Sequence, residues 1–314
     1  MPHAMLESES VRLGDGRTLS YAIYGSPVPR TTVFYFHGFP SSRYEGKLLH
    51  SAAAKHSIRL VSPDRPGAGL SSFQPNRRLL DWPTDVVALA DHLKVNEFYV
   101  LGVSGGGPYA LACVKSIPKE RLLGVTIVSG LYPAKYGTAG MMTMSRVLFW
   151  IAPWMTGLTS FLFDNAIGKA ARNEDPTVLE ELMSKDIDTR HPKDVQVIKD
   201  PLVWPVFVAM TRESFAKGSQ GAAWEANLFG SPWGFELSEL SVGEADITLS
   251  LWHGTDDINC PVSMPTKAIE EMPDSVLHLR EGEGHTSYVF RDVEEILDSL
   301  MGEREPEEYV KVGT

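Results

Sequence analysis

Two hydrophobic patterns alternate along this chain. One is a short, nearly unbroken apolar run, as at residues 31–36, 58–62, 98–101, 123–129, 247–252 and 276–279. Such runs predict strands buried on both faces. The other spaces apolar residues by three and four, as with Val86, Leu89, Ala90 and Leu93, and predicts helices at 47–55, 81–93, 109–114, 263–272 and 289–300. Strand followed by helix, repeated, predicts a mostly parallel, doubly wound α/β sheet with right-handed crossovers. Residues 11–13 and 18–24 alternate around Gly14-Asp15-Gly16 and predict a leading hairpin. The rhythm stops over 131–240, which reads as helical and is broken by Pro and Gly. The simplest organisation is one core formed by 1–130 and 241–302, a helical insertion at 131–240, and an acidic tail at 303–314.

The strand expected at 98–101 ends abruptly in Gly102-Val103-Ser104-Gly105-Gly106, which fits G-x-S-x-G. A serine at so sharp a strand–helix corner is forced into a strained backbone, and side chains two residues away on either side would collide with the chain. Glycine at both places removes the collision. The alternative is a tight turn with an incidental serine. The strand before it and the helical run after it favour Ser104 as a nucleophile.

A serine hydroxyl needs a base in hydrogen-bond reach and a carboxylate to orient that base. In a parallel sheet such groups gather past the carboxyl ends of strands. His285 lies there, on the glycine-rich loop after the last strand. Asp256 and Asp257 follow the strand that ends near His253. Asp257 is the preferred acid, four residues before Pro261; Asp256 is expected to face solvent or cap. The remaining histidines read as structural or surface residues. His278 sits inside a strand, His253 braces the loop that carries the acid, and His37 holds its own loop. His3, His50, His56, His92 and His191 read as surface positions. A tetrahedral oxyanion needs two backbone N–H donors. Gly105 supplies one and Phe39 the other, because Pro40 has no N–H. Asp64 and Arg65 read as a loop brace, with recognition of a substrate carboxylate as the alternative.

These landmarks, His37-Gly38-Phe39-Pro40, residues 64–71, Gly102-Val103-Ser104-Gly105-Gly106, His253-Gly254-Thr255-Asp256-Asp257 and Gly284-His285, occur in an order that resembles the serine hydrolases of the α/β-hydrolase fold. The resemblance covers roughly 8–130 and 245–300. It implies Ser104 as nucleophile, His285 as base, Asp257 as acid and Phe39 with Gly105 as oxyanion hole. It further implies that the insertion is a cap, a part that varies freely in such enzymes, so residues 131–240 inherit no role. An aspartate nucleophile, as in epoxide hydrolases and haloalkane dehalogenases of this fold, is disfavoured by the serine at 104.

Composition narrows the reading. The apolar share of 43% in 314 residues suits a full core. Forty acidic against 29 basic residues give a formal charge of −11, which argues against a nucleic-acid partner. The two cysteines, Cys113 and Cys260, form no framework, and no metal-ligand spacing occurs. A reduced, cytoplasmic setting and no cofactor are therefore expected, with no signal peptide at the start. Residues 141–163 carry one charge, Arg146, but Pro153 and Gly157 interrupt them. Two short buried or cleft-lining helices are expected there rather than a membrane span.

Five of the seven tryptophans (Trp150, Trp154, Trp204, Trp224 and Trp233) and several methionines lie in the insertion. Most should build a small helical core, and some should roof the serine. The expected substrate is a mainly apolar small-molecule ester or lactone, cleaved through an acyl-enzyme. The rival readings are acyl transfer, C–C hydrolysis or a lyase step with the same residues, and a ligand receptor without turnover. Oligomeric state is left open.

Overall fold

The computed structural model describes residues 5–302. The acidic tail and His3 lie outside the described residues. Eight strands form one sheet in the order β1-β2-β4-β3-β5-β6-β7-β8. They are β1 (Leu6–Arg12), β2 (Thr18–Gly25), β3 (Thr31–Phe36), β4 (Ile58–Pro63), β5 (Phe98–Val103), β6 (Leu122–Val128), β7 (Thr248–Gly254) and β8 (Val276–Arg280). Strands β1, β2 and β4 pair antiparallel; every other pairing is parallel. The continuous apolar runs are the central strands, as two-sided burial requires: Val33, Phe34, Leu60, Val61, Val100 and Leu101 are all buried. The leading edge strand alternates half-buried and exposed residues, in keeping with its Glu-Ser-Glu-Ser pattern.

Helices cover both faces. The core on one side gathers α2 (Trp82–His92), α3 (Gly107–Ser116) and α11 (Ser263–Glu270); α1 (His50–Lys55) and α12 (Val293–Met301) pack on the other. Two helix boundaries differ from expectation. The segment before α1 is a tight 3₁₀ run, Arg43–Leu49. Gly46 lets it press on the sheet, since a Cβ there would stand 2.9 Å from Ser62 Cβ. The last helix starts at Val293 rather than 289. Tyr288 and Val289 are instead drawn inward, and the Tyr288 hydroxyl meets Ser129 Oγ at 2.9 Å.

Between β6 and β7 lie α4 (Thr143–Ile151), α5 (Thr156–Phe163), α6 (Lys169–Ala171), α7 (Thr177–Ile187), α8 (Pro192–Ile198), α9 (Trp204–Ser214) and α10 (Gln220–Gly230). A single π turn, Asp164–Gly168, joins α5 to α6. The chain breaks between α4 and α5 around Pro153. Among the described residues no helix is long and apolar enough to cross a membrane. Of the expected buried or cleft-lining helices, α4 and α5 are cleft-lining on one face and exposed on the other. Leu148, Phe149 and Phe163 line a cavity, whereas Met144, Trp150, Trp154 and Phe161 are 61–84% exposed. In α4 the polar Ser145 lies on the cavity side while Met144, Val147 and Trp150 face outward, so polarity does not mark the outer face. Trp233 is buried and Trp204 and Trp224 half-buried, so the expected tryptophan-rich helical core is only partly realised. Helix α10 touches the loop after β4 backbone to backbone. A Cβ on Gly221 would fall 2.2 Å from the Gly67 carbonyl oxygen, so glycine is required at that crossing.

Candidate active site

Strand β5 runs into the turn Ser104–Gly106 and then α3. Ser104 is left-handed, with φ +53°. That conformation costs a non-glycine residue of order 1–3 kcal/mol and persists only where surroundings enforce it. Its flanking glycines make the turn sterically allowed. A Cβ on Gly106 would sit 2.1 Å from the Phe36 carbonyl oxygen, and one on Gly102 would sit 2.9 Å from the Gly106 carbonyl oxygen. Neither backbone can move without displacing the sheet. We therefore expect Gly106→Ala to destabilise the fold by about 3 kcal/mol, read as a lowered urea midpoint. An unchanged midpoint would refute the steric account of this turn.

His285 stands on the loop after β8, and its Nε2 lies 2.9 Å from Ser104 Oγ. Its Nδ1 lies 2.7 Å from Asp257 Oδ2. The other carboxylate oxygen, Asp257 Oδ1, accepts the backbone N–H groups of Asn259 (2.7 Å) and Cys260 (2.9 Å). Burial works to lower the His285 pKa, but the charge and hydrogen bond of Asp257 outweigh it and raise it. Burial likewise pushes the Asp257 pKa up, and the neighbouring imidazoles and backbone donors bring it below the usual carboxylate range. Asp256 turns away: its side chain is 54% exposed, and its nearest basic group is His191 at 3.8 Å. His253 Nε2 donates to the Cys260 carbonyl at 2.7 Å and lies 3.4 Å from Asp257 Oδ2. It thus fastens the acid's loop. His278 is buried within β8 and stacks on Trp252, ring centroids 4.3 Å apart.

The loop His37–Pro40 passes beside the serine. A Cβ on Gly105 would meet Phe39 Cβ at 2.7 Å, and one on Gly38 would stand 3.6 Å from Ser104 Cβ. Three side chains hold this loop directly. The first is His37, whose Nδ1 donates to the Gly38 carbonyl at 2.9 Å while Nε2 accepts the Arg65 N–H at 3.4 Å. Burial, with Arg65 adding, drops its pKa to about 3, so the ring stays neutral. Arg65 donates to the carbonyls of His37 and Gly38 and pairs with Glu225 of α10. Asp64 does not pair with Arg65; it accepts from Arg43 and Ser20. Glu45 accepts the Gly38 N–H at 3.0 Å and the Tyr35 hydroxyl at 2.7 Å.

Above Ser104 lies a cavity of about 480 Å³, within the range of roughly 300–1,000 Å³ usual for small-molecule sites. Its roof is phenylalanine, leucine and methionine: Leu148, Phe149, Phe163, Phe207, Met210 and Phe229. Apart from Met210, the tryptophans and methionines expected as roof candidates do not line it. Glu45, Asp186, Arg190, Asp194 and Asn259 add polar points to its wall. Glu45 and Asp194 on this wall, and Glu225 behind it against Arg65, carry no sequence signal of their position. Each is a charged residue in a helical or 3₁₀ segment, where an acid normally marks a solvated face. Cys113 and Cys260 are both buried as free thiols, and burial pushes both pKa values up.

A sheet of this order, with a serine at the corner after its central strand and a histidine–carboxylate pair facing it, defines a hydrolytic enzyme of the α/β class. A model of the alpha/beta hydrolase family matches residues 33–298, and the chain belongs to that family. It is 31% identical over 117 residues to the uncharacterized hydrolase YcgS of Bacillus subtilis (strain 168), a match spanning 37% of this chain and 39% of that protein. It is 23% identical over 280 residues to a proline iminopeptidase of Lactobacillus helveticus, covering 86% of this chain and 88% of the relative. Among solved structures, the esterase RhEst1 from Rhodococcus sp. ECU1013 superposes with a TM-score of 0.62 at 21% identity, over 94% of this chain and 99% of that one.

Proposed function

We propose that this hydrolase cleaves a carboxylic ester or lactone of a mainly apolar small molecule, through an acyl-enzyme on Ser104. The carrying observation is His285, which bridges the Ser104 hydroxyl and the Asp257 carboxylate at 2.9 and 2.7 Å. Nε2 of His285 takes the hydroxyl proton as Oγ attacks the substrate carbonyl. Backbone N–H groups of Gly105 and Phe39 receive the oxyanion. The imidazolium then returns its proton to the leaving alkoxide, and the C–O bond breaks. Water, deprotonated by the same imidazole, attacks the acyl carbon and releases the acid with Ser104 restored. Residues 131–240 act as the cap, and their phenylalanine roof selects apolar acyl groups.

The test is labelling with a fluorophosphonate, followed by mapping of the adduct and a series of p-nitrophenyl esters of graded chain length. The adduct is expected on Ser104, with kcat/KM rising as the acyl chain lengthens until the cavity is full. An adduct elsewhere, or none, overturns the reading. The similarity to proline iminopeptidase over 280 residues favours one second reading, hydrolysis of an amide at an amino-terminal residue by the same three side chains. Faster turnover of proline p-nitroanilide than of any ester in the series would select it.

A further inference from the structure

Asp194 stands in the first turn of α8 and is only 3% exposed. Its carboxylate does not face its own helix partners. It crosses to the loop after β8 that carries His285. Oδ2 accepts the His285 N–H at 2.9 Å, and Oδ1 accepts the N–H groups of Thr286 and Ser287, both at 2.8 Å. The Thr286 hydroxyl adds a longer contact at 3.2 Å. Three consecutive backbone donors converging on one anion form a nest. The loop admits the carboxylate only because residue 284 is glycine: a Cβ there would lie 2.4 Å from Asp194 Oδ2. The neighbouring Lys193 grips the same loop through Glu283 at 3.0 Å.

We propose that Asp194 is a positioning residue of the active site, the anion that fills the nest at 285–287 and thereby aligns the imidazole of His285 with Ser104. Seating of α8 over the cavity and alignment of the base become one event. With α8 lifted, three backbone donors lose their acceptor at once. The loop must then rearrange, and the 2.9 Å contact between Nε2 and Oγ is lost. A shift of about 1 Å in a reacting group costs on the order of 100-fold in rate. The alignment step rests on the serine-hydrolase reading; the nest itself does not.

The experiment compares full-length wild type with Asp194→Ala, Asp194→Asn and Asp194→Glu. Amide hydrogen exchange is followed at 285–287, and p-nitrophenyl butyrate turnover is measured with and without formate. For Asp194→Ala we expect exchange to rise at 285–287 with the central strands unchanged. Turnover should fall about 100-fold in kcat with KM within about threefold. Formate, a small carboxylate able to enter the vacated nest, should restore about a tenth or more of the lost rate at tens of millimolar. Asp194→Asn keeps one acceptor but sets its NH₂ against a backbone N–H, so its turnover should fall about as far as that of Asp194→Ala; it also serves if the alanine variant does not fold. Asp194→Glu should recover part of the activity.

Unchanged exchange at 285–287 overturns the nest. Raised exchange with wild-type kcat overturns the positioning role. A kcat loss that formate leaves untouched and that tracks only the fall in melting temperature reduces Asp194 to scaffold and also overturns it. A wild type that does not turn over the ester counts against the serine-hydrolase reading, while the exchange arm still decides the nest.

Discussion

Ser104→Ala is expected to lower ester turnover by about 10⁵- to 10⁶-fold while the protein stays folded. In activation free energy this is about 7–8 kcal/mol. The loss is large because the hydroxyl is the atom that forms the covalent bond, and no neighbouring group replaces it. The fold is spared because alanine at φ +53° carries the same Cβ strain that serine already bears. His285→Ala should cost a similar factor, and the double variant little more than either alone, since nucleophile and base act as one unit. Residual catalysis over water should persist in all three from the oxyanion donors and from binding. The measurement is single-turnover kinetics on a p-nitrophenyl ester, beside thermal melts of each variant. Near-wild-type turnover in Ser104→Ala would end the acyl-enzyme reading. Strictly additive losses in the double variant would show that the two groups do not work together.

The legible part of this protein is the part whose chemistry is imposed by the sheet. Parallel strands buried on both faces must be apolar throughout, so Val33 to Phe36 and Val100 to Leu101 announce themselves without help from periodicity. Strand ends then define where reactive groups can meet. Ser104, Asp257 and His285 each lie on a loop at a carboxyl end, and the structure brings the three side chains within hydrogen-bond distance. The preference for Asp257 over Asp256 turned on the expectation that one of two adjacent acids faces solvent, and Asp256 is the exposed one.

The illegible part is whatever the helices do to the loops. Asp194 follows His191-Pro192-Lys193 and looks like an ordinary first-turn acid placed to suit its own helix dipole. That its acceptors serve residues 285–287 is a tertiary fact with no local signature. Glu225 sits among alanines and small residues in α10, and only the Gly67–Gly221 crossing lets it reach Arg65. Trp150 and Trp154 mislead in the opposite sense. Composition marks them as core, yet Trp150 stands on the outward side of α4 and Trp154 in the break before α5, while Ser145 and Phe149 take the cavity side. Asp194 of α8 bonds the loop that carries His285, and Glu225 of α10 reaches the His37–Gly38 loop through Arg65, so the helical segment holds both loops beside Ser104.

Asp257→Asn should cost about 10⁴-fold in kcat even though it changes one atom and little volume. The backbone dictates how the new amide must sit. Oδ1 of Asp257 accepts N–H groups from Asn259 and Cys260, so asparagine has to keep its carbonyl oxygen there. Its NH₂ group then takes the place of Oδ2, 2.7 Å from His285 Nδ1. Two donors facing each other are repulsive, so Nδ1 gives up its proton and becomes the acceptor. The remaining proton moves to Nε2, where it points at Ser104 Oγ, and the base has no lone pair to offer. The pH profile supplies an independent reading. Only the neutral imidazole can act as base, so wild-type kcat/KM should fall as pH drops through the His285 pKa. Asp257 raises that pKa, placing the limb above the ordinary imidazole value of about 6.5. Without Asp257, burial and Arg190 pull the pKa down against the weaker pull of Asp194 alone, so the residual activity of the variant should have its acid limb shifted to lower pH. Asp256→Asn, on an exposed side chain, is the control and should leave both rate and limb close to wild type. Equal losses at 256 and 257, or an acid limb that moves upward in Asp257→Asn, would show that the carboxylate does not set the tautomer of His285.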